Sequence, residues 1–406
     1  MRGGVVFGAL AGTAATQAAN LLTAMIAARA LLPEGRGDLA LVILWPMLAA
    51  QIVSLSLNEA VLVLAASGRG EPRRLLGSAL AMTLVLAVLG TAAAGFALLP
   101  WALAARPDEV QAVGRLCLFL VPATLLSTLF LDALRGRHDQ AGWLVLRVVQ
   151  ALAYAGGAMI AWTAEAGLAG FAAAFIVSHA LAAAAAAWRL ARREGLASPP
   201  RRRETRDLAA LGLRLHAGFV VQVLGGRLDQ IAIALLLDPA ALGLYAVATV
   251  LLLGLLQLAA SVTHAAFPRF VALDAGARSR AIRRTLALVL GGVALAGLAL
   301  AALAPWLVRL LFGEAFAPAA DLVRLALLGL VPHASREVFM AGLKAEGRPL
   351  AIGRAELVSL AFFAASLAML VPRLGAPGAA LAYAATQWLV AAVMTWQCRE
   401  MLRRGA

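Results

Sequence analysis

The sequence predicts an all-α polytopic membrane protein of twelve transmembrane helices in two pseudo-twofold six-helix lobes, on three observations: composition, an internal repeat and the placing of charge. Of 406 residues, 63% are hydrophobic and 14% charged, and the mean hydropathy is +0.88. That is too apolar for a water-soluble globule. The repeat shows in a turn: Pro33, Glu34, Gly35, Arg36, Gly37 ends one apolar run, and Pro239, Ala240, Ala241, Leu242, Gly243 ends another, 206 residues later. Pro100-Trp101 returns as Pro305-Trp306, Val121-Pro122 as Val331-Pro332, and Gly167-x-x-Gly170 as Gly375-x-x-Gly378, at shifts of 205, 210 and 208. Four echoes in one order indicate a duplicated membrane unit.

A spanning helix needs about 20 apolar residues. Twelve such runs are read, in order 5–28, 39–66, 75–99, 110–134, 141–163, 168–190, 208–237, 243–267, 285–311, 322–343, 350–371 and 378–398. The first follows only Arg2 and is longer than a signal-peptide core, so it is read as a retained helix. The two proline-glycine turns separate runs one and two, and seven and eight. Residues 1–191 form the N-terminal lobe, 192–207 a basic linker marked by Ser198-Pro199-Pro200, and 208–406 the C-terminal lobe. Because six is even, both lobes enter the membrane in one orientation.

The net charge of +14 is not a nucleic-acid signal, because the cations alternate by loop. They gather at Arg69, Arg73 and Arg74; at Arg135 and Arg137; from Arg189 to Arg206; from Arg269 to Arg284; at Lys344 and Arg348; and at Arg399, Arg403 and Arg404. The positive-inside rule places both termini in the cytoplasm.

Catalytic signatures are missing. The sole lysine, Lys344, lies outside any Walker loop, and His138, His179, His216, His264 and His333 are scattered without a ligand pair. Cys117 and Cys398 sit in opposite halves, giving neither a disulfide framework nor a metal spacing. No Asp-x-Asp occurs, and the outer loops are about ten residues or fewer, which disfavours a membrane glycosyltransferase or polymerase. No metal, cofactor or enzymatic activity is expected.

Polarity inside the spans is informative, since a charge at the bilayer centre costs about 2.5–3.5 kcal/mol on insertion scales. Stripes at helical spacing are Thr13, Gln17 and Asn20; Gln51, Ser54 and Asn58; Thr124, Thr128 and Asp132; Arg147, Gln150 and Tyr154; Gln222, Gly225, Gly226 and Asp229; Gln257, Ser261 and His264; and His333, Arg336, Glu337 and Met340. Interhelical hydrogen bonding is the plain reading of the uncharged members. Arg336 and Glu337 are adjacent and could neutralise each other, and snorkelling accounts for Arg354 and Glu356. Arg147 and Arg354 lie 207 apart, within the repeat shift, so they are symmetry mates. Two such cations suit a phosphate-bearing headgroup, or else form a shared topological anchor.

The segment Ala28-Arg29-Ala30-Leu31-Leu32-Pro33-Glu34-Gly35-Arg36-Gly37, with Arg227-Leu228-Asp229-Gln230 and the later Gly243-Leu244-Tyr245, resembles the polysaccharide-biosynthesis flippases of the multidrug, oligosaccharidyl-lipid and polysaccharide exporter superfamily. Two positions depart from the pattern: the usual glycine before the first proline is Leu32, and the usual aromatic after Gly37 is Asp38. The resemblance implies alternating-access movement of a polyprenyl-diphosphate-linked glycan from the inner to the outer leaflet of a bacterial cytoplasmic membrane. Substrate contact is then expected at Arg147, Arg354, Arg336, Gln150, Tyr154, Gln17 and Asn20, and coupling to Na+ or H+ at Asp229 and Glu337. Expected partners are membrane lipids and a polysaccharide polymerase or glycosyltransferases. A drug/cation antiporter of the same superfamily and a non-transporting membrane scaffold stay open; excess cavity arginine favours the flippase, and a scaffold would lack an open groove.

Overall fold

The computed structural model describes residues 3–195 and 197–403; Arg404, counted above among the topogenic cations, and Arg2 lie outside the described residues. Regular structure there is entirely helical: α1 (Gly3–Val53), α2 (Leu57–Ala66), α3 (Pro72–Ala93), α4 (Leu99–Ala102), α5 (Asp108–Leu116), α6 (Leu120–Gly136), α7 (Gln140–Thr163), α8 (Gly167–Glu194), α9 (Arg202–Gly225), α10 (Leu228–Leu236), α11 (Pro239–Ala272), α12 (Ala275–Phe312), α13 (Ala319–Leu327), α14 (Leu330–Ala345), α15 (Pro349–Leu374) and α16 (Ala376–Arg403).

Ten stretches among the described residues are long and apolar enough to cross a membrane, against twelve expected, and two local features account for the difference. The first two runs are joined without a loop, turning at Leu32 (φ 57°, ψ 178°) inside α1. The tenth run breaks at Gly329 into α13 and α14, each too short to span alone. Leu32 adopts backbone geometry that glycine occupies at little cost, which explains a glycine in the family pattern. Its counterpart in the second repeat, Asp238, instead stays extended and caps α11, its Oδ1 accepting from Ala241 N at 2.7 Å. Pro33 and Pro239 each fit a first helical turn, where a missing N–H costs nothing.

The chain forms two compact units: one takes the chain up to Leu31 with Asp38–Val223, the other Leu32–Gly37 with everything from Leu224. In the first, Leu57, Val61, Leu75, Leu76, Leu129, Leu134, Leu190 and Leu208 form a buried core that gathers α2, α3, α6, α8 and the start of α9. The basic linker is pinned onto α3, with Ser198 N donating to Arg73 O at 3.0 Å and Arg201 N to Ser78 Oγ at 3.2 Å. Asp139 caps α7 and accepts from Arg189 Nε at 2.5 Å and Nη2 at 3.0 Å. In the second unit, Val308, Phe312, Phe316, Val323, Val338, Phe339 and Met394 are buried, and α14 packs on α11, α12 and α16. Outward faces are apolar too, with Val88 70% and Phe96 89% exposed on and just beyond α3; that is the surface of a helix bundle solvated by lipid.

Within the second unit the two repeated turns meet. A Cβ on Gly37 would lie 1.7 Å from Pro239 O, and one on Gly243 would lie 2.0 Å from Pro33 O. Each glycine lies against the other turn's proline carbonyl, the reciprocal contact that a local twofold requires.

Candidate functional site

A cavity of about 500 Å³ opens in the first unit, and three of the polar stripes converge on it. Gln51, Ser54 and Asn58 come from the end of α1 and the start of α2, Thr124, Thr128 and Asp132 from α6, and Arg147 and Gln150 from α7. Between α1 and α2 the helix unwinds at Leu55 (φ 47°) and Ser56 (φ 51°), where Ser56 Oγ lies 3.2 Å from His216 Nδ1. Irregular backbone at membrane depth is tolerated where it lines a polar cavity.

The charges in this cavity are unequal. Asp132 accepts from Asn58 Nδ2 at 2.7 Å on one oxygen and from Arg135 Nη1 at 3.1 Å on the other, so its carboxylate is committed. The guanidinium groups of Arg135 and Arg147 lie 4.9 and 5.4 Å from the Trp143 ring, a cation-π contact that holds both without neutralising either. Arg147 makes no hydrogen bond or ion pair among the described residues, and the buried Nε of Arg135 is unpaired there. Two cations against one occupied carboxylate can bind an anion and disfavour a cation.

The second unit holds other polar groups. Asp229, buried in the first turn of α10, accepts from Tyr245 Oη at 2.6 Å and from Gln230 N at 2.8 Å, while Arg227 Nη1 donates to Gln230 Oε1 at 3.0 Å. The Gly225-Gly226-Arg227 break between α9 and α10 places Asp229 at a helix N-terminus, where the dipole favours a carboxylate. Arg336 donates to Glu356 through Nε at 2.9 Å and Nη2 at 2.5 Å. The neutralisation expected between adjacent Arg336 and Glu337 is thus made with Glu356, because neighbours on a helix diverge in direction. Glu337 lies 4.0 Å from His333 Nε2, and His333 Nδ1 is 3.2 Å from Tyr383 Oη.

Of the expected substrate contacts, Arg147 and Gln150 line the first-unit cavity. Tyr154 packs edge-on against Phe175 at 4.8 Å, and Gln17 and Asn20 bond to each other at 3.5 Å. Arg354 lines a separate cavity of about 690 Å³ in the second unit. Asn58, Asp132, Arg135 and Trp143 were not singled out as contacts; the stripes hold Asn58 and Asp132, but nothing along the sequence pairs them across 74 residues.

A multi-pass membrane protein, helical in regular structure among the described residues, with a polar, cation-bearing cavity is the class this fold and site define. Solved structures share that fold. An inward-facing multidrug resistance MATE family transporter of the MOP superfamily matches at 14% identity over 95% of this chain and 94% of its own, with a TM-score of 0.77. The lipid II flippase MurJ, in an inward closed conformation, matches at 11% identity over 96% of this chain and 87% of its own, TM-score 0.82. A MOP superfamily transporter from Pyrococcus furiosus, whose binding pocket has reverse polarity, matches at 16% identity over 98% and 94%, TM-score 0.61. No curated protein matches. The family model described as polysaccharide biosynthesis protein matches residues 6–274, and the chain belongs to that family.

Proposed function

We propose that this chain is an alternating-access flippase that moves polyprenyl-diphosphate-linked oligosaccharide from the inner to the outer leaflet of a bacterial cytoplasmic membrane, for cell-surface polysaccharide. The observation that carries the reading is the first-unit cavity, where Arg147 and Arg135 offer positive charge and Gln51, Asn58, Thr128 and Gln150 offer hydrogen bonds. A diphosphate takes the forked guanidinium donors, the glycan takes the amides and hydroxyls, and the polyprenyl chain stays in lipid. The family membership supports the substrate class, and the likeness in fold to MurJ, a lipid II flippase, accords with it. The excess of arginine favours this reading over a drug/cation antiporter.

Twelve spans in two repeats of six are part of the proposal: the turn at Leu32 divides α1 into two spans, and α13 with α14 forms one broken span. The reciprocal packing of Gly37 and Gly243 accords with duplication. Basic loops put both termini in the cytoplasm. Two negative charges leaving a negative-inside cell gain about 4.6 kcal/mol per 100 mV when no ion compensates them, and Asp229 and Glu337 are the carboxylates proposed to couple Na+ or H+. The diphosphate grip is assigned to Arg147 and Arg135; Arg354, the repeat mate of Arg147, lines a separate cavity, and Arg336 is paired with Glu356.

The test is flipping by the purified chain in liposomes loaded with a polyprenyl-diphosphate-linked oligosaccharide, scored by accessibility of the glycan to an added glycosidase. Arg147→Gln should slow the initial rate at least tenfold and Arg147→Lys less, with equal reconstituted protein. Wild-type liposomes that flip no faster than empty ones would refute the function; an Arg147→Gln rate equal to wild type would refute the grip.

A further inference from the structure

The second-unit cavity that holds Arg354 is built unlike the first. Its walls come from the start of α15 and the end of α16, and three of its side chains are arginines, Arg348, Arg354 and Arg399. Arg354 makes no hydrogen bond or ion pair among the described residues. Arg348 is loosely held, 3.5 Å from Glu346 Oε2 and 3.4 Å from Gln397 O. Arg399 lies over Trp396 at 4.9 Å, which orients its guanidinium and leaves its charge uncompensated. The volume of about 690 Å³ falls within the ~300–1,000 Å³ of small-molecule sites.

An independent observation fixes what kind of phosphate fits. Leu350, Arg354 and Leu357 follow each other at i, i+4 and i+7 on one face of α15, and the two leucines are 76% and 57% exposed. Trp396, beside them on α16, is 62% exposed. A lone cation between exposed leucines, next to an exposed tryptophan, is the composition of a helix face at the headgroup level of a bilayer. A soluble phosphate would use only the arginines; a lipid uses the leucines as well.

We propose that this cavity holds the phosphodiester headgroup of an anionic phospholipid of the cytoplasmic leaflet, clasped by Arg348, Arg354 and Arg399 while its acyl chains lie along Leu350 and Leu357. The choice of leaflet rests on the topology proposed above; the binding chemistry does not. Guanidinium forks on a phosphodiester give charge-assisted hydrogen bonds, and arginines at the membrane surface are drawn to anionic lipid.

Native mass spectrometry of the full chain, titrated in detergent with phosphatidylglycerol, tests this. Wild type should hold at least one phosphatidylglycerol tightly. Arg354→Gln/Arg399→Gln should weaken that lipid about tenfold or more, and Arg354→Lys/Arg399→Lys only a few-fold, at unchanged melting temperature without lipid. Phosphatidylcholine should show no tight event, and millimolar glycerol 3-phosphate should not displace the lipid. Equal phosphatidylglycerol affinity in wild type and the Gln pair, or displacement by glycerol 3-phosphate, overturns the proposal, as does preferred retention of a polyprenyl diphosphate at the same site. Arg147→Gln should keep the tight lipid whatever it does to flipping, so the two readings fail separately.

Discussion

Gly37→Ala and Gly243→Ala test whether the repeated turns pack as a reciprocal pair. The added methyl at position 37 would sit 1.7 Å from Pro239 O, and that at 243 would sit 2.0 Å from Pro33 O, where real Cβ atoms essentially never come within 3.0 Å. Neither obstacle is a flexible side chain, so the turns must separate by about 1.5 Å to reach van der Waals distance. Overpacking of this kind costs about 1–3 kcal/mol. One separation relieves both collisions, so the double variant should cost little more than the worse single one, whereas independent sites would add. Thermal unfolding of the detergent-solubilised chain, with both singles and the double, reads this directly. Neutral single variants, or a double variant whose loss equals the sum, would refute the reciprocal packing.

Arg336→Met should destabilise the solubilised chain by about 1–3 kcal/mol, less than a fully buried pair because Arg336 and Glu356 keep 18% and 24% of their side-chain surface exposed; Arg336→Met/Glu356→Leu should recover most of the loss in the same melt. The hydrogen bond from Arg189 holds the Asp139 carboxyl below its ordinary range, with the Gly142 N–H and the Arg193 charge adding to it. Its contribution is present above the unfolded carboxylate value of about 3.9 and is lost as pH falls through the lower folded value. Asp139→Asn, which can still cap α7, should therefore melt earlier than wild type at pH 7, with the gap closing as pH falls below the ordinary carboxylate range. Asp229→Asn should keep its contact with Tyr245 and still insert, while the pH or sodium dependence of flipping changes; an unaltered profile removes Asp229 from coupling.

The membrane class and most of the apolar helices were legible because lipid solvation imposes long apolar runs, and the two turns that meet were legible because turns need proline and glycine at fixed offsets. Boundaries were less so. Nothing in Leu31-Leu32-Pro33 says that the chain will turn without a loop, and Gly329 breaks a run whose hydropathy is continuous. Intrahelical stripes could be read from spacing alone, and three of them do meet at one cavity. Which stripe meets which could not be read. Arg336 finds Glu356 on the next helix, and Arg189, counted as a topogenic charge, is bonded to Asp139 50 residues away.

The same limit explains why Arg147 and Arg354, equivalent along the sequence, line different cavities. On α7, Trp143 stands one turn before Arg147 and offers a ring that holds the guanidinium at 5.4 Å among Asp132, Asn58 and Gln150. The residue 207 places on is Leu350, which has no π-face and no means of holding a cation. A free arginine on an otherwise apolar helix face moves to the most hydrated region its stem can reach. Arg354, at the start of α15, accordingly lies with Arg348 and Arg399, and Trp396 on α16 orients Arg399. The ring beside Arg147, and the leucine at the matching position before Arg354, set the two arginine sites apart: one lies in the polar cavity of its unit, the other on a helix face beside exposed leucines.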